Sequence, residues 1–116
     1  MNNNVETEEL MLFYDRLIEN VKQISLEASE QIDNLKGFAV ADEIASDFSD
    51  IAKPYAFKLF KNEWLSAEQI NLVNKIDKRL DQMSNNKELW TDEALTRSNE
   101  WKQCRELARE LLKLLL

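Results

Sequence analysis

The sequence predicts an all-α fold, an antiparallel bundle of four main helices plus a short aromatic-rich helix, in one acidic domain covering residues 1–116. Three observations predict it. Apolar side chains recur at steps of three and four along most of the chain, the spacing that gathers them on one face of a helix. Gly37 is the single glycine and Pro54 the single proline, so the tight turns that hairpin-rich sheets lean on are missing. A composition of 44% hydrophobic and 32% charged residues supplies one core and a solvated exterior, and 116 residues is the size of one domain.

After a polar MNNN leader, Leu10, Tyr14, Leu17, Val21, Ile24, Ala28, Ile32 and Leu35 form one stripe along a helix from about Thr7 to Leu35. Unbroken, this helix of about 29 residues is roughly 44 Å long. The alternative is a bend near Ser25 to Ser29, where a four-four step shifts the seam. Met11, Leu12, Phe13 and Ile18 broaden the stripe, so its start meets more than one neighbour. Asn34 and Gly37 form the stop, since glycine takes the left-handed conformation after a helix end without a Cβ clash.

Val40, Ile44, Phe48 and Ile51 predict a second helix of about 14 residues, ending at Pro54, whose ring and missing N–H oppose continuation. Its other side carries Glu43, Asp47 and Asp50 at steps of four and three. Tyr55, Phe57, Phe60 and Trp64 then fall within ten positions, predicting a short helix after Pro54 whose aromatics are the bulky part of the core. Ser66 followed by Gln69 matches a capping box ahead of Ile70, Val73, Ile76, Leu80 and Met83, and this helix stops near the polar SNNK sequence. Thr91 or Asp92 caps a last helix carrying Leu95, Trp101, Cys104, Ala108, Leu111 and Leu115. Leu112, Leu114 and Leu116 make its end strongly apolar, covered either by the rest of the fold or by a second copy. The expected core contains Leu17, Val21, Ile24, Ile44, Phe48, Phe60, Val73, Leu80, Trp101, Ala108 and Leu111.

Two absences narrow the function. The chain has no histidine, and therefore no imidazole for a Ser-His-Asp or Cys-His arrangement and no histidine metal ligand. One glycine leaves no glycine-rich loop to cradle phosphates or a dinucleotide. Cys104, alone, forms no internal disulfide; its place between Trp101 and Ala108 reads as a small buried hydrophobe, and a reducing, cytoplasmic compartment fits. No basic n-region precedes an apolar stretch, and no apolar run approaches the roughly 20 residues of a membrane span.

Charge supplies the positive clue. The net charge is −7, and residues 1–54 hold 12 acidic and 4 basic side chains against 10 and 11 in residues 55–116. The basic residues Lys75, Lys78 and Arg79, and Arg97, Lys102, Arg105 and Arg109, are offset by Glu100, Glu106 and Glu110, so neither nucleic acid nor an anionic membrane is the expected partner. An acidic half matches a basic protein surface. The expectation is a non-enzymatic protein-binding module, in its sharper form an immunity, antitoxin or anti-regulator protein that masks a basic partner surface. Its first contact candidates are Glu43, Asp47 and Asp50, and its second Glu27, Glu30 and Asp33. No catalytic residue, cofactor or metal is assigned. Two other readings compete: a homo-oligomeric structural helical protein, dimeric through its C-terminal leucines, and a small carboxylate-dependent metal hydrolase, which needs acids converging from separate helices. Glu43, Asp47 and Asp50, on one helix, are separately a candidate for a cation such as magnesium held by oxygen ligands alone.

Overall fold

Helical periodicity is realised throughout the computed structural model, which describes residues 3–116: every regular element among the described residues is helical, with no strand. Helix α1 (Asn3–Ser25) begins inside the polar leader, whose Met1 and Asn2 lie outside the described residues. The unbroken helix to Leu35 gives way to the bend: Glu27 is extended (φ −61°, ψ 149°) and α2 (Ala28–Asn34) starts afresh. A helix end leaves carbonyls without partners, and here side chains supply the donors. The buried Gln31 gives its amide hydrogens to the carbonyls of Gln23 and Ile24, each at 3.0 Å. Arg109 donates from Nε to the Ser25 carbonyl at 2.9 Å and from Nη2 to the Glu27 carboxylate at 2.8 Å. Gly37 then turns the chain at φ +94°, as its position after α2 predicted.

Pro54 does not end the second helix. The helical path runs from α3 (Val40–Asp47) through a π-helical turn (Phe48–Ala52) into α4 (Lys53–Lys61). The wider turn lets the Lys53 N–H reach the Phe48 carbonyl five residues back, and Pro54 falls in the first turn of α4, where its missing N–H costs little. The continuous path also decides which face enters the core. Phe48, Ala52, Ala56 and Leu59 are buried, while Phe57 and Phe60 are 38% and 41% exposed and Tyr55 and Trp64 half-buried, so Phe60 is not a core residue and the bulk of the interior comes from Trp101 and Phe48 rather than from the Tyr55–Trp64 cluster. Helix α4 packs on α1, where Tyr55 stacks on Phe13 with ring centroids 4.3 Å apart.

Asn62, Glu63 and Trp64 close α4, the Trp64 N–H bonding the Leu59 carbonyl at 2.9 Å and the Glu63 N–H that of Phe60 at 3.0 Å. Helix α5 (Ala67–Met83) opens with the expected capping box: the Gln69 N–H reaches Ser66 Oγ at 3.1 Å and the Ser66 N–H reaches Gln69 Oε1 at 2.7 Å. A 3₁₀ turn (Lys87–Leu89) leads to α6 (Asp92–Arg97), capped by Thr91. The last helix is also divided. Ser98 is extended, and its hydroxyl accepts from the Trp101 N–H to start α7 (Asn99–Leu115).

Helix α7 lies along both α1 and α5. Tyr14 donates to the Leu115 carbonyl at 2.8 Å, Gln69 Nε2 to the Leu114 carbonyl at 2.8 Å, and Cys104 Sγ sits 3.8 Å from Met83 Sδ. Leu111 and Leu115 are clasped within the chain, whereas Leu114 and Leu116 remain exposed. Apart from Phe60, every expected core residue is buried.

Candidate functional site

The outer side of α3 and the π turn forms one wall of a groove of about 490 Å³. Asp42, Ala45, Ser46, Ser49 and Asp50 recur at steps of three, one, three and one, which places them along a single helical face. Alanine and serine leave that face low, with a carboxylate near either end. The opposite wall is Ser84, Lys87 and Trp90, from the connection after α5. A smaller recess of about 180 Å³ adjoins it and shares Ala45, Ser49, Ser84 and Trp90, with Phe48 and Leu80 as apolar lining and Asp77 and Asp81 from α5 adding carboxylates.

Trp90 is held in place. Its indole N–H donates to the Met83 carbonyl at 3.0 Å, at the end of α5, and its ring meets Trp101 edge-on with centroids 5.5 Å apart. The ring is half-buried and its accessible part lines the groove. Asp77 is paired with Lys53 at 2.9 Å; Asp42, Asp50 and Asp81 enter no ion pair among the described residues, and Lys87 is the one cation in the lining. The groove therefore combines negative potential, hydroxyl groups and an anchored aromatic surface.

The candidate residues scatter around this feature. Asp50 lines the groove; Glu43 and Asp47, half-buried on the same helical path, do not. Asp47 has its carboxyl raised above the ordinary carboxylate value, first by burial and second by the charge of Asp50. Glu27 is occupied by Arg109 at the α1–α2 corner. Glu30 and Asp33 stand exposed on α2 and form no ion pair among the described residues. Among those residues no three Asp, Glu or Cys side chains come together as a set of metal ligands, Glu43, Asp47 and Asp50 included.

Asp42, Ser46, Ser49, Ser84, Lys87 and Trp90 were missed by sequence reasoning. The first three carry a signal in the D-x-x-A-S-x-x-S-D spacing; the others come from a segment that reads as a polar helix stop. Arg105 differs from Arg97, Lys102 and Arg109, which are exposed. It is buried, donates to the Leu95 carbonyl at 2.9 Å, and burial holds its guanidinium below the usual value. No helix among the described residues is long and apolar enough to cross a membrane.

Comparison of the chain with protein-family models, with curated proteins and with solved structures finds no match.

Proposed function

We propose that this chain is a non-enzymatic binding module that masks a basic surface of a protein partner, in the manner of an immunity, antitoxin or anti-regulator protein, and that it works in the cytoplasm. The observation that supports the reading is the groove beside the π turn, where Asp42 and Asp50 stand with Trp90. A guanidinium entering it would meet carboxylates able to accept paired hydrogen bonds and an aromatic surface on which a planar cation stacks. Carboxylates speed encounter with a basic partner, and a fixed aromatic slows its release. In this reading the main helices form an antiparallel bundle that serves as a rigid mount for the groove.

The test is capture on the immobilised intact chain, from cells of its source, at about 50 and 500 mM salt, with wild type and D42N/D50N run side by side. The expected result is a basic protein recovered by the wild type at low salt, lost at high salt and lost by the variant. Equal recovery by both chains removes the groove from the reading.

A second reading is self-association. It is favoured by large apolar side chains left in water, Leu116 at 77% exposed, Met11 at 55% and Leu12 at 50%. Sedimentation of the intact chain and of M11Q/L12Q/L116Q, which leaves the buried Leu111 and Leu115 in place, tests it: a dimer that the variant loses supports self-association, and a monomeric intact chain removes it.

A further inference from the structure

A second groove, of about 430 Å³, lies between α5 and α7 and is lined by Lys75, Lys78, Arg79, Gln82 and Leu107. We infer that it is a binding site for a compact phosphorylated anion, one carrying two or three linked phosphates. Helix α5 is segregated by charge. In its second half Asp77 and Asp81 face the recess beside Phe48 and Trp90, while Lys75, Lys78, Arg79 and Gln82 occupy the other flank at steps of three, one and three; Glu68, the remaining carboxylate of α5, lies two turns earlier in its first turn and does not line the groove. None of the three cations enters an ion pair among the described residues, and no carboxylate lines the groove. Like charges three and four residues apart repel, so the arrangement gains most from an anion that contacts all three at once.

The size of the cluster selects the class of anion. Side chains at these spacings sit about 5–6 Å apart at Cβ, so the three charges converge on a short span. Linked phosphates put several negative charges into that span. An extended acidic peptide places same-face carboxylates nearly 7 Å apart, two residues of strand rise, and brings fewer of them to the cations. A nucleic-acid strand needs a longer positive track than one helix flank, and this chain has a net charge of −7. Gln82 adds an amide donor for a phosphate oxygen and Leu107 an apolar contact.

Calorimetric titration of the intact protein with sodium tripolyphosphate tests this at low salt. Saturable one-to-one binding is expected, weakened more than tenfold in K75Q/K78Q/R79Q and far less in K22Q/K36Q/K113Q, which removes the same charge from exposed positions outside the groove. Amide chemical shifts of the wild-type protein provide a readout that does not depend on the variant folding: the shifts should move along Lys75 to Gln82 and at Leu107. The site is overturned by the absence of saturable binding at millimolar tripolyphosphate, by equal binding in folded K75Q/K78Q/R79Q, or by shifts centred elsewhere. Tighter binding of a single-stranded oligonucleotide or of a glutamate-rich peptide than of tripolyphosphate also overturns it, by giving the groove to that partner instead.

Discussion

The indole nitrogen of Trp101 donates a hydrogen bond to the carbonyl of Leu89 at 2.7 Å, wholly inside the protein. It ties the start of α7 to the 3₁₀ turn and gives Trp90 an edge to rest on. Two substitutions separate the packing from the bond. Trp101→Ala should cost about 3–5 kcal/mol, the range for emptying a large aromatic site. Trp101→Phe keeps a ring but leaves the Leu89 carbonyl without its donor, at about 1–3 kcal/mol. Urea denaturation of both gives the ranking, and a Phe variant as stable as wild type would show that the bond contributes nothing net.

Cys104 should be chemically silent in the folded protein. Burial pushes its thiol up to about 12, with Arg79 and Arg105 opposing the shift, and only the thiolate reacts. A raised folded value makes the contribution of the neutral thiol fully present below the ordinary thiol value near 9 and lost as pH rises towards 12. A disulfide reagent at pH 8 should therefore modify the native chain at a rate set by unfolding, with full reactivity in urea. Native labelling at the rate of a free thiol would place Cys104 at the surface.

Asp47 should oppose folding at neutral pH. Its carboxyl is raised by burial and then by Asp50, so its contribution is favourable below the ordinary carboxylate value and is lost as pH rises through the folded one. Asp47→Asn is expected to raise the melting temperature at pH 7, with the gain shrinking as the pH falls through the carboxylate range. Because the two acids interact, D47N/D50N should gain less than the sum of the single variants. A lower melting temperature for Asp47→Asn at pH 7 would contradict this sign.

Glu63 occupies the left-handed region at φ 63°, the position between α4 and Trp64 where glycine is usual. The two backbone bonds that close α4 hold it there. A side chain in this conformation costs about 1–2 kcal/mol, partly offset on changing to glycine by the larger entropy of the unfolded chain. Glu63→Gly is expected to stabilise by about 0.5–1 kcal/mol in urea denaturation. A loss instead would assign the Glu63 side chain a stabilising contact.

What the sequence made legible was local. The capping box at Ser66 and Gln69, the turn at Gly37 and the core stripe through Leu17, Val21 and Ile24 all depend on residues a few positions apart, and all are present. The break at Glu27 is stitched by Arg109 from α7, a partner that α1 periodicity cannot reveal. Pro54 opposes an unbroken α-helix, but the π turn before it leaves the proline in the first turn of α4, which continues with Ala52, Ala56 and Leu59 inward. The acidic groove was half visible. Asp50 belongs to the acidic line of Glu43, Asp47 and Asp50, but the groove follows the face of Asp42, Ser46 and Ser49, and its aromatic wall arrives with Trp90 from beyond α5.

The proposed masking of a basic partner gives the two sides of the groove separable kinetic roles. Asp42 and Asp50 act at a distance, so D42N/D50N should slow association severalfold and flatten its dependence on salt while leaving dissociation little changed. Trp90 acts only after contact, so its replacement should mainly speed release. Trp90→Phe suits that arm better than alanine, because the ring beside Trp101 keeps an aromatic neighbour even though the Met83 carbonyl loses its donor. E43Q/D47N removes the same formal charge from the same helical path, but neither residue lines the groove, and its effect on the on-rate should be smaller than that of D42N/D50N. Stopped-flow association with the captured partner at several salt concentrations, on variants whose circular dichroism matches wild type, makes the comparison. Equal slowing by the two acidic pairs would mean that net charge alone steers the encounter, and an unchanged on-rate and salt slope in D42N/D50N would remove the groove carboxylates from recognition.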